Sequence, residues 1–377
     1  MTDPTIARLA ALARDFAGRH VAPGAALWAR ERRMGLEALK AAAEAGLLGM
    51  EVPAELGGMG AGFRAKLAAV EAIAAESWDF AFSMVNTQNV AAKLARDASP
   101  TLAADYVPAL VRGERFGATA LTEPGAGSDF AAISTRAVRD GGRWRLDGEK
   151  AWITNAAIAD VFVTYVQTDP ALGWRGIACF LVDGTRPGFV RVAPESLSGG
   201  MAIGAGGFRL DGYVAEEAEM LHPPGEAFRQ AMASVNGARV YVAGMCVAMA
   251  ARALEIAVSH GRARHAFGRP LVANQGLRWM LADVATDIAA ARLLVDRAAE
   301  IVEEGGEAAL AAAHAKKFAT RMAVARISDC MQALGAAGLR EDQPFLRHLA
   351  SARIANYTDG ATEMQNERIA AILFGPA

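Results

Sequence analysis

The pattern of apolar and polar positions changes texture twice along the chain. Up to about residue 115, alanine and leucine recur with charges three or four apart. The run Leu36-Glu37-Ala38-Leu39-Lys40-Ala41-Ala42-Ala43-Glu44 has the spacing of an amphipathic helix. Gly46, Gly49 and Pro53 end that helix, Gly57-Gly58-Met59-Gly60 is a loop, and another helix is predicted over about 63–77. From Phe116 to about Glu217, short apolar runs alternate with turn residues. Runs 143–146 and 151–154 flank Asp147-Gly148, a hairpin signal, and 161–166 and 176–182 read as further strands. No long helical pattern separates them, so an antiparallel sheet is expected. From about Gly225 the helical texture returns in three alanine-rich segments, roughly 225–262, 272–304 and 307–338, with Gly305-Gly306 between the last two. A helix of about 35 residues spans about 50 Å, and several joined by short loops make an antiparallel bundle. The expected class is α+β: an N-terminal helical domain over 1–115, a central β domain over 116–220 and a C-terminal helical bundle over 221–377.

A chain of 377 residues suffices for two or three domains. With 39 Lys and Arg against 41 Asp and Glu, the formal charge is −2. That balance argues against a nucleic-acid binder and against electrostatic attachment to an anionic membrane. A composition of 53% hydrophobic and 21% charged residues is that of a globular protein. Cys179, Cys246 and Cys330 are far apart and form no CxxC pair, which suggests a reducing compartment. The six histidines show no metal-binding spacing, and no metal is expected. The first twenty residues carry Asp3, Arg8, Arg14 and Asp15 among apolar ones, and no unbroken apolar span of about 20 residues occurs. The expectation is a cytoplasmic protein without membrane insertion.

Five segments can carry chemistry. Leu121-Thr122-Glu123-Pro124-Gly125-Ala126-Gly127-Ser128-Asp129 is a tight loop with exposed backbone N–H groups, able to face a ring or a phosphate. It reads equally as a surface turn. Trp152-Ile153-Thr154-Asn155 ends a strand; its indole can lie on a planar cofactor or simply be half-buried in the sheet. Arg262-Ala263-Arg264-His265-Ala266-Phe267-Gly268-Arg269-Pro270, with Gln275 beyond, is a cationic helix end that suits the helix dipole or clamps a diphosphate. Gln332-Ala333-Leu334-Gly335-Ala336-Ala337-Gly338 is a helix terminus whose small residues also admit a close ligand or chain. Thr358-Asp359-Gly360-Ala361-Thr362-Glu363-Met364-Gln365 opens the last helix; Asp359 or Thr362 can cap it, and a carboxylate there can also act as a base. GxGxxG after a strand, GxxxxGK[ST] and GxSxG are all missing, which removes most support for a nicotinamide Rossmann enzyme, a P-loop enzyme or an α/β-hydrolase.

In order and spacing, these segments resemble the acyl-CoA dehydrogenase family of flavoproteins over nearly the whole chain. The resemblance implies FAD held between the β domain and the C-terminal bundle. It places Leu121 and Thr122 at the flavin pyrimidine edge, Trp152 over the ring and Thr154 near N5. It assigns Arg264, Phe267, Gln275, Gln332, Gly335 and Ala336 to the diphosphate and adenosine part across a subunit contact, which implies a homo-oligomer, usually a tetramer. Ser128, Asn236 and Arg239 match positions that contact the CoA part of a thioester. The implied reaction removes an α-proton with a carboxylate and passes a β-hydride to flavin N5, giving a trans-2-enoyl thioester. An electron-transfer flavoprotein is the implied acceptor.

One departure bears on the reaction. Most relatives have Glu at the base position, whereas this chain has Asp359, and the family's alternative base position is Ala238. Asp is one methylene shorter, about 1.5 Å, and a misplacement of ~1 Å can cost on the order of 10²-fold in rate. Ala361 stands where many relatives have Thr near the flavin. Asp359 therefore keeps two related readings open: nitroalkane oxidase-like chemistry, which resembles this family and uses Asp, and dehydrogenation of a carrier-bound acyl group. A non-catalytic flavin scaffold is disfavoured by the retained carboxylate. Residues 83–89 fall on a helix that lines the acyl pocket in the family; their polar side chains either polarise that pocket or satisfy buried backbone.

Overall fold

The computed structural model describes residues 3–193, 197 and 202–375. Six helices come first: α1 (Pro4–Phe16), α2 (Ala25–Glu31), α3 (Leu36–Glu44), α4 (Phe63–Ala74), α5 (Trp78–Asp97) and α6 (Pro100–Val111). Their starts follow local chemistry. Asp3 accepts the Thr5 N–H at 2.8 Å ahead of α1, and Ser99 accepts the Leu102 N–H at 3.3 Å ahead of α6. Pro4 and Pro100 occupy the first turns, where a missing N–H costs nothing. The helix expected over about 63–77 stops at Ala74, because Ser77 caps α5 by accepting the Phe80 N–H at 3.3 Å.

Among the described residues eight strands follow: β1 (Gly117–Ala120), β2 (Arg136–Asp140), β3 (Arg143–Ile153), β4 (Val161–Gln167), β5 (Ile177–Asp183), β6 (Phe189–Val192), β7 (Gly206–Glu216) and β8 (Met220–His222). They form one sheet in the order β6-β7-β3-β2-β4-β5-β8, with β1 beside β4. Two sequence expectations need correction. The sheet is mixed, because β1 runs parallel to β4 and β2 meets β4 in parallel at Arg136–Gln167. The chain reverses once at the β2–β3 hairpin and again between β3 and β4, so β1, β2 and β4 run in the same direction. Asp147-Gly148 is also not the hairpin turn. The turn is Gly141-Gly142, both at positive φ (55° and 90°), as a two-residue hairpin loop favours. Asp147-Gly148 lies inside β3, where the register against β7 shifts. Asp147 accepts the Gly212 N–H of β7 at 2.7 Å.

The unbroken apolar runs of β4 and β5 reflect burial on both faces. Val161, Val163, Tyr165, Ile177, Cys179 and Leu181 belong to one core with Val90 and Leu94 of α5 and Val107 and Leu110 of α6. The alternate residues Phe162, Val166, Phe180 and Val182 join Phe208 and Tyr213 of β7.

The rest of the chain is α7 (Ala227–Ala263), the short hairpin β9 (His265–Ala266) and β10 (Arg269–Pro270), α8 (Gln275–Glu303), α9 (Ala309–Leu334), α10 (Phe345–Ala355) and α11 (Thr362–Phe374). By length and composition α7 is apolar enough to cross a membrane. Here it packs against α4, α8 and α9. Val240, Val242, Met245, Cys246 and Met249 share its buried core with Leu39, Trp78 and Phe80 of the N-terminal helices. The two helical regions therefore form one core on one side of the sheet domain.

Gly148 has φ of 146°, and a Cβ there would lie 2.6 Å from the Thr135 Cα. Gly148→Ala is expected to destabilise the fold by about 1–3 kcal/mol through backbone strain and overpacking. Thermal or denaturant unfolding of the two proteins checks this.

Candidate active site

The loop 121–135 is fixed from below by a buried ion pair. Lys150 of β3, fully buried, donates to Glu123 Oε1 at 2.8 Å and to the Leu121 carbonyl at 3.1 Å. Glu123 Oε2 accepts from the Ser134 N–H (2.6 Å) and hydroxyl (2.8 Å), and Oε1 accepts from the Thr135 N–H (3.0 Å). Burial works against ionisation of Glu123, but the Lys150 charge and these donors prevail and bring its carboxyl down to about 2. Burial brings the Lys150 ammonium down to about 8, against the opposing pull of Glu123. One side chain of each sign thus ties down both ends of the loop and leaves Pro124, Gly125, Gly127 and Ser128 at the surface.

The Ala151 N–H donates to the Thr122 carbonyl at 3.0 Å, so this loop lies beside the end of β3. There the backbone turns left-handed twice, at Trp152 (φ 60°) and Asn155 (φ 66°). Asn155 holds the turn from inside: its Nδ2 donates to the carbonyls of Ser83 (2.9 Å) and Gly117 (3.2 Å), and its Oδ1 accepts from the Ser83 hydroxyl at 2.6 Å. Trp152 remains 56% exposed and Thr154 half-buried. A large indole left in solvent on a strained backbone next to a braced loop fits contact with a flat ligand.

The third component lies between α10 and α11. Asp359 has φ of 53°, and its Oδ2 is buried without a hydrogen-bond partner among the described residues. Neither Asp359 nor Thr362 caps α11, a further correction. The cap position is Ala361, and the Thr362 hydroxyl instead donates to Asn356 Oδ1 at 3.0 Å. The left-handed turn directs Asp359 away from the helix N-terminus. Arg239 of α7 donates from Nε to the Asp359 carbonyl at 3.0 Å and from Nη1 to Asn236 Oδ1 at 2.9 Å. The Gly360 carbonyl accepts from Lys316 Nζ of α9 and from Gln365 Nε2 at 3.0 Å. Burial pushes the Asp359 carboxyl above its ordinary range, and the charges of Lys316 and Arg239 pull against that. Burial and the Asp359 charge push the nearby Tyr241 phenol well up. The arrangement offers a half-buried aspartate with one buried, unbonded carboxylate oxygen beside two cations, which can take a proton from a weak carbon acid.

The structure joins some of the sequence-selected residues and separates others. Leu121 and Thr122 adjoin Trp152 and Thr154, and Asn236 and Arg239 adjoin Asp359. Ser128 is exposed on its loop. Arg264 and Phe267 lie on the β9–β10 hairpin and Gln275 opens α8; Gln332, Gly335 and Ala336 lie at the end of α9. All six are exposed, Phe267 at 99% and on a left-handed backbone. Among the described residues no hydrogen bond or ion pair links the hairpin group to the α9 group. The polar residues of α5 have partners within the protein: the Thr87 hydroxyl accepts the Gly117 N–H at 3.2 Å, Gln88 donates to Glu51 at 3.2 Å and Asn89 donates to Tyr241 at 3.3 Å. Among the described residues no three His, Cys, Asp or Glu side chains gather as a metal site.

Three-layer domain order and this site define a flavin-dependent oxidoreductase of the dehydrogenase class. The family models for the acyl-CoA dehydrogenase N-terminal, middle and C-terminal domains match residues 4–114, 118–212 and 225–374. An acyl-CoA dehydrogenase of Bacillus subtilis (strain 168) is 33% identical over 97% of this chain and 96% of its own. The structure of butyryl-CoA dehydrogenase from Megasphaera elsdenii superposes with a TM-score of 0.94 at 28% identity, covering 99% of both chains. That of a glutaryl-CoA dehydrogenase from Mycobacterium smegmatis in complex with FADH2 superposes at 0.93 and 26% identity, covering 100% of this chain and 96% of that one. The chain belongs to the acyl-CoA dehydrogenase family, whose members are FAD-dependent oxidoreductases. The exposed Trp152 beside the braced loop, the exposed hairpin with Arg264 and Phe267, and the uncrowded Gly335 suit FAD.

Sequence reading passed over Lys150 and Lys316. Lys150 lies four residues beyond the buried Leu146 in β3, on the inward face. Lys316 falls among Ala312, Ala313, Ala319 and Thr320, on the buried stripe of α9. A lone lysine in register with an apolar face was the available signal in both cases. Lys150→Met leaves Glu123 buried without its cation and is expected to cost about 3–5 kcal/mol. Calorimetry should show the melting point of the holoprotein falling and the flavin released at lower temperature than in wild type. Adding Glu123→Gln should recover part of the loss, since an amide oxygen still accepts from Ser134 or Thr135.

Proposed function

We propose that the protein is an FAD-dependent acyl-CoA dehydrogenase in which Asp359 removes the α-proton of an acyl thioester, giving a trans-2-enoyl-CoA. The observation that carries this reading is the buried, unpartnered Asp359 Oδ2 on a turn held by Arg239 and Lys316. FAD bound against Trp152 supplies the two-electron acceptor for the substrate's β-hydride. Arg239 and Lys316 fix the turn through its carbonyls and leave the carboxylate oxygen free. The surrounding burial keeps water from the proton transfer and strengthens each charge interaction. Leu121, Thr122 and Thr154 serve the flavin edge in this reading. Ser128 and Asn236 serve the CoA part. Arg239, assigned there by resemblance, faces the base turn and supports it.

The exposure of Arg264, Phe267, Gln275, Gln332, Gly335 and Ala336 supports an adenosine site completed by a second copy of the chain, hence a homo-oligomer, with a tetramer as the expected form. An electron-transfer flavoprotein is the proposed acceptor, and a short saturated acyl-CoA is the first substrate class to test. Asp in place of Glu favours one second reading, nitroalkane oxidation with oxygen as acceptor.

Asp359→Asn should retain FAD and lower the rate of flavin reduction by acyl-CoA by on the order of 10²–10⁴-fold. Stopped-flow absorbance under anaerobic conditions measures this. An unchanged rate would eliminate Asp359 as base, and oxygen uptake with nitroalkanes but no reduction by acyl-CoA would favour the second reading.

A further inference from the structure

Lys316 lies in the middle of α9, 1% exposed, on a stripe otherwise made of Ala312, Ala313, Ala319 and Thr320. An apolar residue would fill that position without desolvating a charge. Its ammonium donates to the Gly360 carbonyl, one residue beyond the proposed base, and among the described residues no carboxylate pairs with it at ion-pair distance. Arg239, reaching in from α7, holds the neighbouring Asp359 carbonyl at 3.0 Å. Two buried cations from two helices therefore grip consecutive carbonyls of one left-handed turn and leave the carboxylate between them unbonded at Oδ2.

We infer that Lys316 is a positioning residue for the base: it fixes the Asp359–Gly360 turn through the Gly360 carbonyl and, with Arg239, favours the charged form of the Asp359 carboxylate against burial. This rests on the reading of Asp359 as the base. In the step concerned, the Cα–H bond of the thioester breaks, its electron pair stays on the substrate as enolate, and the proton goes to Asp359, which becomes neutral. The titratable groups facing the turn are Lys316 of α9, Arg239 and the neutral Tyr241 and Cys246 of α7, and Glu363 and Arg368 of α11. Lys316 and Arg239 favour the ionised carboxylate. Burial opposes them and, with the help of Arg239, brings the Lys316 ammonium down to about 8, so the lysine is charged at neutral pH. Removing that charge lets Asp359 take up its proton at higher pH. The acid limb of any reaction that needs the ionised carboxylate then moves upward.

The test uses holoenzyme in three forms: wild type, Lys316→Met and Lys316→Gln. The readouts are FAD content, melting point, and exchange of the α-hydrogens of butyryl-CoA with D₂O, followed by NMR from about pH 5 to 9 under anaerobic conditions with no acceptor added beyond the bound flavin. The expected result is an acid limb raised by about one pH unit in both variants. Lys316→Gln should stay closer to the wild-type melting point, because its amide can still donate to Gly360. If Lys316→Met does not fold, Lys316→Gln decides by the same displacement. An acid limb at the wild-type pH in a variant that holds FAD and melts normally would overturn the role of Lys316. Asp359→Asn in the same assay separates the two claims. Exchange at the wild-type rate in that variant would remove the base and this role with it. Loss of exchange there, together with an unmoved limb in the lysine variants, would overturn the lysine's role alone.

Discussion

A carboxylate out of water is stable in its charged form only if nearby cations offset the lost hydration. At Asp359 the cations that work against burial are Lys316 and Arg239, and both bond to main-chain carbonyls of the turn; burial still holds the carboxyl above its ordinary range. A direct salt bridge would occupy the oxygen that accepts a proton in the proposed reaction. By holding the backbone, the cations act on the carboxylate through space and leave Oδ2 free. Much of the architecture follows from this need. α7 and α9 must pack closely enough to bring both cations to one turn. Their facing surfaces are largely alanine, with Ala243, Ala250, Ala312, Ala315 and Ala319 all buried.

In the β domain a second buried charge pair is used differently. Lys150 and Glu123 bond to each other, and together they hold loop 121–135 against β3. Both faces of the sheet are covered, so β3 and β4 have little freedom to shift, and Asn155 fixes the turn that carries Trp152. This part of the protein is a rigid shelf suited to a flat cofactor. The Asp359 turn is one whose charge state is tuned. A dehydrogenase needs both, because proton and hydride leave adjacent carbons and their acceptors must keep a fixed separation.

The helical regions were legible because their period, caps and prolines agree: Asp3-Pro4 and Ser99-Pro100 start helices where the pattern begins. The sheet was legible as strands but not as a topology. Asp147-Gly148 carries a hairpin signal, yet Gly141-Gly142 six residues earlier makes the turn, and only contact with β7 and Thr135 shows why Gly148 is needed. The parallel pairing of β1 with β4 joins segments some forty residues apart and leaves no local mark. In the site, Asp359, Trp152 and the 121–129 loop stood out by motif. The lysines that brace them did not, because a lysine in an alanine-rich helix or an alternating strand looks solvated until burial is known. The polar residues of α5 left two readings open, a polar acyl pocket or partners within the protein, and the fold gives Ser83, Thr87, Gln88 and Asn89 protein partners.

The central claim is that Asp359 and a bound flavin act together on a saturated acyl thioester. An anaerobic titration of the purified holoprotein with butyryl-CoA, followed in the visible spectrum, tests it most directly. The account predicts rapid bleaching of the oxidised-flavin band. A flavin that stays oxidised with butyryl-CoA and with longer and branched acyl-CoAs would contradict it.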